Sequence, residues 1–276
     1  MQAALIANIR SSAPNMTPAL GRVADYVLGN PQGVLYQSIT EMAEEASSSE
    51  ASVMRFCREL GFTGFQNFKL ALAQELASQP QPSSSGTDPE DDIGALVQTA
   101  KVALDETARL LDRATIKTVA ETLLKARQIE IFGVAASAVT ASYLEYKLAR
   151  LGLRAHAVAD SHLATMIAAT AEPSSVHVVV SSSGSTIDAV RVAELAHANG
   201  ANVISITNRS KSPLAVICDH VMLASWPETP LTGGAFPSKI SQLLIVDALV
   251  AFITRTESSR VDAVRETARS VSDRNY

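Results

Sequence analysis

The sequence predicts an α/β protein in which an all-α helix-turn-helix domain precedes a doubly wound parallel α/β domain, and three observations carry that prediction. The stretch Val176–Gly200 reads as a buried strand, a hydroxyl-rich turn and a helix. The residues from Ile129 to Ser137, with the helical pattern after them, repeat the same order of strand, small-residue turn and helix. Ahead of both, the segment from Ser38 to Gly61 holds two short amphipathic helices joined by a tight serine turn.

From the amino terminus, Thr17-Pro18 opens a helix, with threonine at the cap and proline in the first turn. Leu20, Val23, Ala24, Val27 and Leu28 form its apolar stripe, and Gly29-Asn30-Pro31 ends it. A short helix from Gly33 to Gln37 is expected next. Ser38 and Glu41 then stand at capping-box spacing, ahead of a brief apolar face of Ile39, Met42, Ala43 and Ala46. The serines at 47 to 49 break this helix and cap the next, which runs from Glu50 to Leu60 and closes at Gly61. Ala43, Val53, Phe56 and Leu60 hold the second helix against the first. Ser49, Glu50, Ser52, Arg55 and Arg58 are then left outward, as short polar groups and arginines suited to base edges and phosphates. A plain helical hairpin is the competing reading.

The run from Val53 to Lys69 weighs against that plain reading, because it resembles the amino-terminal domain of RpiR-type bacterial transcription regulators. Their recognition helix is followed by an LGF-x-GF-x-x-FK signature, which Leu60-Gly61-Phe62, Gly64-Phe65 and Phe68-Lys69 match. Phe62, Phe65 and Phe68 are core in physical terms, and the resemblance adds Lys69 to the candidate DNA contacts. Ser47 and Ser48 stand where glycine and valine are common in the family. Residues 1–77 carry Arg10, Arg22, Arg55, Arg58 and Lys69 against Asp25, Glu41, Glu44, Glu45, Glu50, Glu59 and Glu75, so this domain is net negative. A single copy is expected to bind DNA weakly and with steep salt dependence. A homodimer or homotetramer on a two-fold operator supplies useful affinity.

Residues 78–92 are rich in Pro, Ser and Gly with an acidic end, and read as a linker to an α/β domain over 93–276. Helix is expected from Ile93 to Gln128. The strand from Ile129 to Gly133 leads through Val134-Ala135-Ala136 to Ser137 and a helix bearing Tyr143, Leu144 and Leu148. Arg154 to Ala159 is a further strand, with Asp160-Ser161-His162 at its carboxyl end. Val176, Val178, Val179 and Val180 make a strand apolar on both faces, as in the middle of a parallel sheet. Strands from Asn202 to Thr207 and His220 to Ala224 follow, then a Gly/Pro-rich loop from Pro227 to Pro237 placed to close over a ligand. A helix from Ser238 to Ile253 carries Lys239 and Gln242 in its first turns.

Between the central strand and its helix lies Ser181-Ser182-Ser183-Gly184-Ser185-Thr186. Backbone N–H groups at a helix start point outward, the helix dipole favours negative charge, and each hydroxyl adds a donor, so the loop is suited to a phosphate. A single hydroxyl here would be only an N-cap, but this many exceed what capping requires. The segment resembles a sugar isomerase (SIS) domain, whose marks are a G-x-G-x-S-like first turn and an S-x-S-G-x-T second loop. Ser181, Ser183, Gly184 and Thr186 fit the second, while Ala135 replaces a usual glycine in the first. The resemblance implies a flavodoxin-like phosphosugar-binding fold. The candidate ligand residues are Ser137, Ser181, Ser182, Ser183, Gly184, Thr186, Asp160, His162, Lys239 and Gln242.

At 276 residues, 47% hydrophobic and 18% charged, the composition is that of an ordinary soluble globular protein. The net charge of -5 argues against a general positive field for nucleic acid but leaves room for a local basic face. The apolar run from Leu243 to Ile253 is interrupted by Asp247 and too short to span a bilayer. Met1 to Pro14 lacks a signal-peptide core. Cys57 and Cys218 stand apart, with neither metal-ligand spacing nor a disulfide framework, which fits a reducing cytoplasm. No metal or cofactor is expected, and no G-x-x-x-x-G-K-[ST] loop is present.

Taken together, these readings point to a transcription regulator whose operator affinity is set by a bound sugar phosphate, through a change in the spacing of two recognition helices. Hexose, pentose and amino-sugar phosphates, among them N-acetylmuramate 6-phosphate, and phosphorylated sugar acids all fit the motifs. The alternative is a phosphosugar aldose-ketose isomerase, which needs a base near the transferred proton. His162, His156 and Glu172 are its candidates, and sequence assigns none of them a catalytic place. No catalytic residue and no enzyme activity are therefore expected.

Overall fold

The computed structural model describes residues 5–78, 92–226 and 228–272. Residues 79–91 of the expected linker and Pro227 of the expected closing loop lie outside them. The amino-terminal helices are α1 (Leu5–Ser12), α2 (Pro18–Gly29), α3 (Pro31–Tyr36), α4 (Ile39–Glu45), α5 (Glu50–Glu59) and α6 (Phe65–Ser78), with a single 3-10 turn at Ala13–Asn15. They share one core, in which Val23, Val27, Met42, Val53, Phe56, Phe68 and Leu72 are fully buried. Phe68 meets Phe56 and Phe62 edge-to-face at 5.6 and 5.7 Å, which pins α6 across the end of α5. The capping box of α4 is complete: Ser38 Oγ accepts from the Glu41 N–H, and a Glu41 carboxylate oxygen accepts from the Ser38 N–H. Helix α3 begins at Pro31 rather than Gly33, because proline suits the first helical position and the Asn30 side chain caps the Gly33 N–H.

The expected helix from residue 93 to 128 is two helices, α7 (Asp92–Leu110) and α8 (Arg113–Lys125), with Asp112 capping the second. Gln128 already belongs to β1 (Gln128–Phe132). There follow α9 (Ala136–Arg150), β2 (Ala155–Val158), α10 (Ser161–Ala169), β3 (Ser175–Val180), α11 (Ile187–Ala198) and β4 (Asn202–Thr207). The rest are α12 (Pro213–Ile217), β5 (His220–Leu223), α13 (Phe236–Thr256) and α14 (Ser258–Arg269). All strands are parallel, in the order β2-β1-β3-β4-β5. That order is the flavodoxin-like form of the doubly wound fold, with its switch point between β1 and β3.

Burial follows position in the sheet. The central β3 and β4 are buried at all but their first residue, whereas the edge strand β5 buries only Met222. On one face α8, α9 and α13 cover Ile129, Ile131, Val178 and Ile204; on the other α10, α11 and α12 cover Phe132, Val179 and Val203. Helix α13 is long and apolar enough to cross a membrane by length and composition, but it is a core helix here. Ile245, Val246, Leu249 and Ile253 are buried, and it packs on α7, α8 and α9. Both cysteines are free, and burial pushes their thiols up to about 12 at Cys57 and about 11 at Cys218, so they are packing residues with little thiolate character.

Candidate functional site

The helix-turn-helix is formed by α4 and α5, packed through Met42, Ala43, Val53 and Phe56. The α4–α5 turn needs one residue at positive φ, and Ser47 supplies it at 48°. Its carbonyl accepts from Arg22 Nε at 2.9 Å, which fixes the turn against α2. Ser49 caps α5 by accepting from the Ser52 N–H at 3.2 Å, and Thr40 donates to the Glu50 carboxylate at 2.6 Å. Ser49, Glu50, Arg55 and Arg58 are exposed and Ser52 is half-buried. Neither arginine forms an ion pair among the described residues, so both guanidinium groups face solvent.

Lys69 departs from this arrangement and is withdrawn from the candidate DNA contacts. It is 4% exposed; its ammonium donates to the Gln37 carbonyl at 2.8 Å and lies 5.0 Å from the Phe65 ring centre. Burial, then the nearby Arg209, hold its pKa down at about 8, against the opposing pull of Glu41. An interior lysine held this way cannot reach a phosphate backbone.

The second region lies at the carboxyl ends of β1, β3 and β4. The loop after β3 closes on itself, with the Gly184 N–H donating to the Ser181 carbonyl at 3.1 Å and the Ser181 and Thr186 hydroxyls 3.2 Å apart. Gly184 sits at a φ of 59°, and a Cβ there would lie 2.1 Å from Ser212 Oγ, so only glycine fits. Thr186 occupies the N-cap of α11 but makes no side-chain cap bond. The same holds for Ala135 at α9 and Ala235 at α13, whereas Ser38, Ser49, Asp112, Asp160 and Ser212 all cap their helices. Helices α9, α11 and α13 thus keep first-turn N–H groups free of side-chain caps, whereas α12 beside them is capped by Ser212.

Side chains of α13 tie these turns together. Gln242 is fully buried and its amide is saturated: Nε2 donates to Ser182 Oγ at 3.0 Å and Asn208 Oδ1 at 2.8 Å. Its Oε1 accepts from Thr140 Oγ1 at 2.8 Å and Lys239 Nζ at 3.1 Å. Lys239 also donates to Ser182 Oγ at 2.8 Å and lies 3.5 Å from Glu228 Oε1, an atom without a hydrogen-bond partner among the described residues. Burial lowers the Lys239 pKa, and Glu228 offsets part of that. The loop bearing Glu228 lies against the first turn, since a Cβ on Gly234 would come within 2.9 Å of Ala136 Cβ. The result is a hydroxyl- and amide-lined cradle with one ammonium at the sheet's switch point, a place for an anion bearing further polar groups.

Ser182, Lys239 and Gln242 are therefore brought together, with Ser181, Ser183, Gly184 and Thr186 on the loop beside them. Ser137 is buried in the first turn of α9, one helical turn before Thr140. Asp160 and His162 are not joined to the cluster. The Asp160 carboxylate caps α10 through the Leu163 N–H at 2.7 Å, and the His162 ring is exposed, with no hydrogen bond linking either to the cradle among the described residues. Thr140, Asn208, Arg209 and Glu228 belong to the region and are absent from the sequence-based candidates. Two isomerase candidates lie at the wrong end of the sheet. His156 and Glu172 line a cleft of about 460 Å³ at the amino ends of the strands, where they pair with Glu130 and Arg127.

A polar cradle at the switch point of a doubly wound sheet, following a helix-turn-helix domain with an arginine-bearing outer face, is the build of a transcription regulator with a candidate ligand site in its second domain. Residues 3–79 match the helix-turn-helix domain of the rpiR family, and residues 122–252 match the SIS domain. The chain is 35% identical over 265 residues to an HTH-type transcriptional regulator of Caldanaerobacter subterraneus, covering 95% of this chain and 93% of that one. It is 35% identical over 254 residues to the HTH-type transcriptional regulator HexR of Pseudomonas aeruginosa, covering 91% and 89%. The structure of Vibrio vulnificus NanR complexed with ManNAc-6P superposes with a TM-score of 0.92 at 36% identity, over 99% of this chain and 100% of that one. The chain belongs to the RpiR family of HTH-type transcriptional regulators, with an SIS domain after its helix-turn-helix domain.

Proposed function

We propose that this protein binds operator DNA through α5 and that a sugar phosphate in the Ser181–Thr186 cradle sets its affinity for that DNA. On this reading Ser49, Glu50, Ser52, Arg55 and Arg58 approach the DNA, while Ser137, Ser181, Ser182, Ser183, Gly184, Thr186, Lys239 and Gln242 surround the ligand. The domain division is 1–77, 78–92 and 93–276. The protein works in the cytoplasm as a homodimer or homotetramer, because one net-negative reading domain binds too weakly alone. The observation that carries the reading is the saturated Ser182–Lys239–Gln242–Asn208 network beside helix starts that no side chain caps.

The likeness to NanR in its ManNAc-6P complex makes that compound the first ligand to try. The protein acts by binding and not as an isomerase. Its regulator relatives support this, as does the distance in the fold between the cradle and the paired His156 and Glu172. A thermal-shift panel tests the ligand class: ManNAc-6P, hexose and pentose phosphates, and each unphosphorylated parent. One phosphorylated sugar stabilising the protein while its parent does not supports the reading. Turnover of any panel member into its keto or aldo isomer contradicts it.

A further inference from the structure

We propose that the segment from Asn208 to Ser212 couples the cradle to the DNA-reading domain, because Glu41 of α4 and an anion in the cradle compete for the same Arg209 guanidinium. The inference rests on reading Ser181–Thr186 as an anion cradle. On the cradle side the segment is bound through backbone and side chain alike. The Asn208 N–H donates to the Ser182 carbonyl at 3.1 Å, and the Leu214 N–H to the Gly184 carbonyl at 3.0 Å. The Asn208 side chain bonds Gln242 and Ser238 at 2.8 and 3.2 Å. Ser212 packs closely on Gly184, leaving no room there for a Cβ.

The opposite side of the same segment holds α4. The Ser38 hydroxyl donates to the Lys211 carbonyl, the Lys211 ammonium pairs with the Glu44 carboxylate, and Arg209 Nη1 lies 3.8 Å from Glu41 Oε2. These contacts differ in weight. The Lys211–Glu44 pair is more than half exposed, so solvent screens it. The Arg209 and Glu41 side chains are only 11% and 21% exposed, and their pairing is screened far less. Arg209 also feels Glu228, the carboxylate beside Lys239 in the cradle, and repels the buried Lys69. Glu41 therefore stands between two buried cations, and Arg209 between two carboxylates, one on each side of the domain boundary.

A phosphate carries close to two negative charges and takes arginine in a two-pronged, charge-assisted bond stronger than a 3.8 Å ion pair. Drawing Arg209 toward the cradle takes it from Glu41 and loosens α4 on the segment, leaving the Ser38 and Glu44 contacts to Lys211. A shift of this helix bears on the reading face directly: α4 packs on α5, and Thr40, the neighbour of Glu41, holds the Glu50 carboxylate at the start of α5. By linkage the competition runs both ways, so weakening Glu41 must tighten anion binding.

The chain has one tryptophan, Trp226, and its carbonyl accepts from the Asn208 side chain, so its fluorescence reports on this segment. The full chain is titrated with inorganic phosphate and with ManNAc-6P as wild type, Glu41→Gln, Arg209→Gln, the double variant and Lys239→Ala. Glutamine keeps the capping box, because its amide oxygen still accepts from Ser38. The expected result is anion binding about fivefold tighter in Glu41→Gln, weaker by a similar factor in Arg209→Gln, and no tighter in the double variant than in Arg209→Gln alone. Binding lost in Lys239→Ala but unchanged in Glu41→Gln overturns the coupling and leaves the cradle standing. A wild type that binds neither probe, or a Lys239→Ala variant that binds both as wild type does, overturns the cradle reading and the coupling with it.

Discussion

The proposed recognition helix α5 and the proposed anion cradle are built in opposite ways. Helix α5 buries Val53, Phe56 and Cys57 and turns its charged groups outward, where Arg55 and Arg58 are exposed. The cradle buries its polar groups: Ser182, Asn208, Ser238 and Gln242 are each at most 8% exposed, and each holds another in place. Exposed polar groups on a rigid scaffold can be removed without disturbing the fold. A buried polar network cannot lose a member without stranding its partners. Function and stability are thus separable in the first region and fused in the second.

The sharpest test of that contrast pairs one substitution set with one readout from each region. Removing both arginines, Arg55→Ala with Arg58→Ala, is expected to weaken operator binding by about 30-fold or more, at roughly 1–3 kcal/mol per lost contact. Its thermal midpoint should match wild type; a lowered midpoint would show that the helix is structurally committed after all. Gln242→Ala takes a buried partner from each of Thr140, Lys239, Ser182 and Asn208. A loss of about 3 kcal/mol in chemical denaturation is expected, along with ligand binding.

Acid should separate the regions as well. Burial alone holds the His177 pKa down at about 4 against an ordinary 6.5, and all five histidines lie after residue 155. The unfolded chain takes up a proton below pH 6.5 that folded His177 refuses until about pH 4. The α/β region therefore keeps this stability above pH 6.5 and loses it, by at most about 3 kcal/mol, as the pH falls toward 4. Trp226 fluorescence during denaturation follows this region, and His177→Gln should flatten its slope between those pH values. An unchanged slope would remove His177 from the account.

The smallest effects are expected where the two regions behave alike. Ser47 and Ala135 are the non-glycine residues at positive φ among those described, at 48° and 52°. Ser47→Gly and Ala135→Gly should each raise stability by about 1 kcal/mol in equilibrium unfolding, because glycine relieves the backbone strain. A loss at either position would mean that its side chain is worth more than the strain it carries.

Those same positions show what was legible in the sequence. Ser47 and Ala135 stand out as departures from glycine in the family pattern, and the structure gives each the conformation that glycine serves. The central strands were readable because a buried parallel strand leaves a continuous apolar run, as in Val176–Val180. The hydroxyl loop stood out because its hydroxyls exceed the needs of a cap. Lys69 misled because a signature lysine was taken as a surface charge. Phe65, Phe68, Leu72 and Leu76 define the buried stripe of α6, and position 69 falls on it.

Asn208 and Arg209 follow directly after β4, the place where ligands gather in such sheets, and that rule would have found them. Thr140 follows Ser137 by one turn of α9 and shares its face, a weaker signal. Glu228 left no trace, since nothing local distinguishes one carboxylate in a Gly/Pro-rich loop. The contact of Arg209 with Glu41 joins residues far apart in sequence and only the fold brings them together.

Fluorescence anisotropy of the full-length protein on the DNA upstream of its own gene, at several salt concentrations, tests the central claim most directly. The titration is repeated with ManNAc-6P, other sugar phosphates and their unphosphorylated parents. The account predicts tight, salt-dependent binding that one sugar phosphate alters and its parent does not, with the response abolished in Lys239→Ala. Specific binding that no sugar phosphate changes, or no specific binding at any salt concentration, would contradict it.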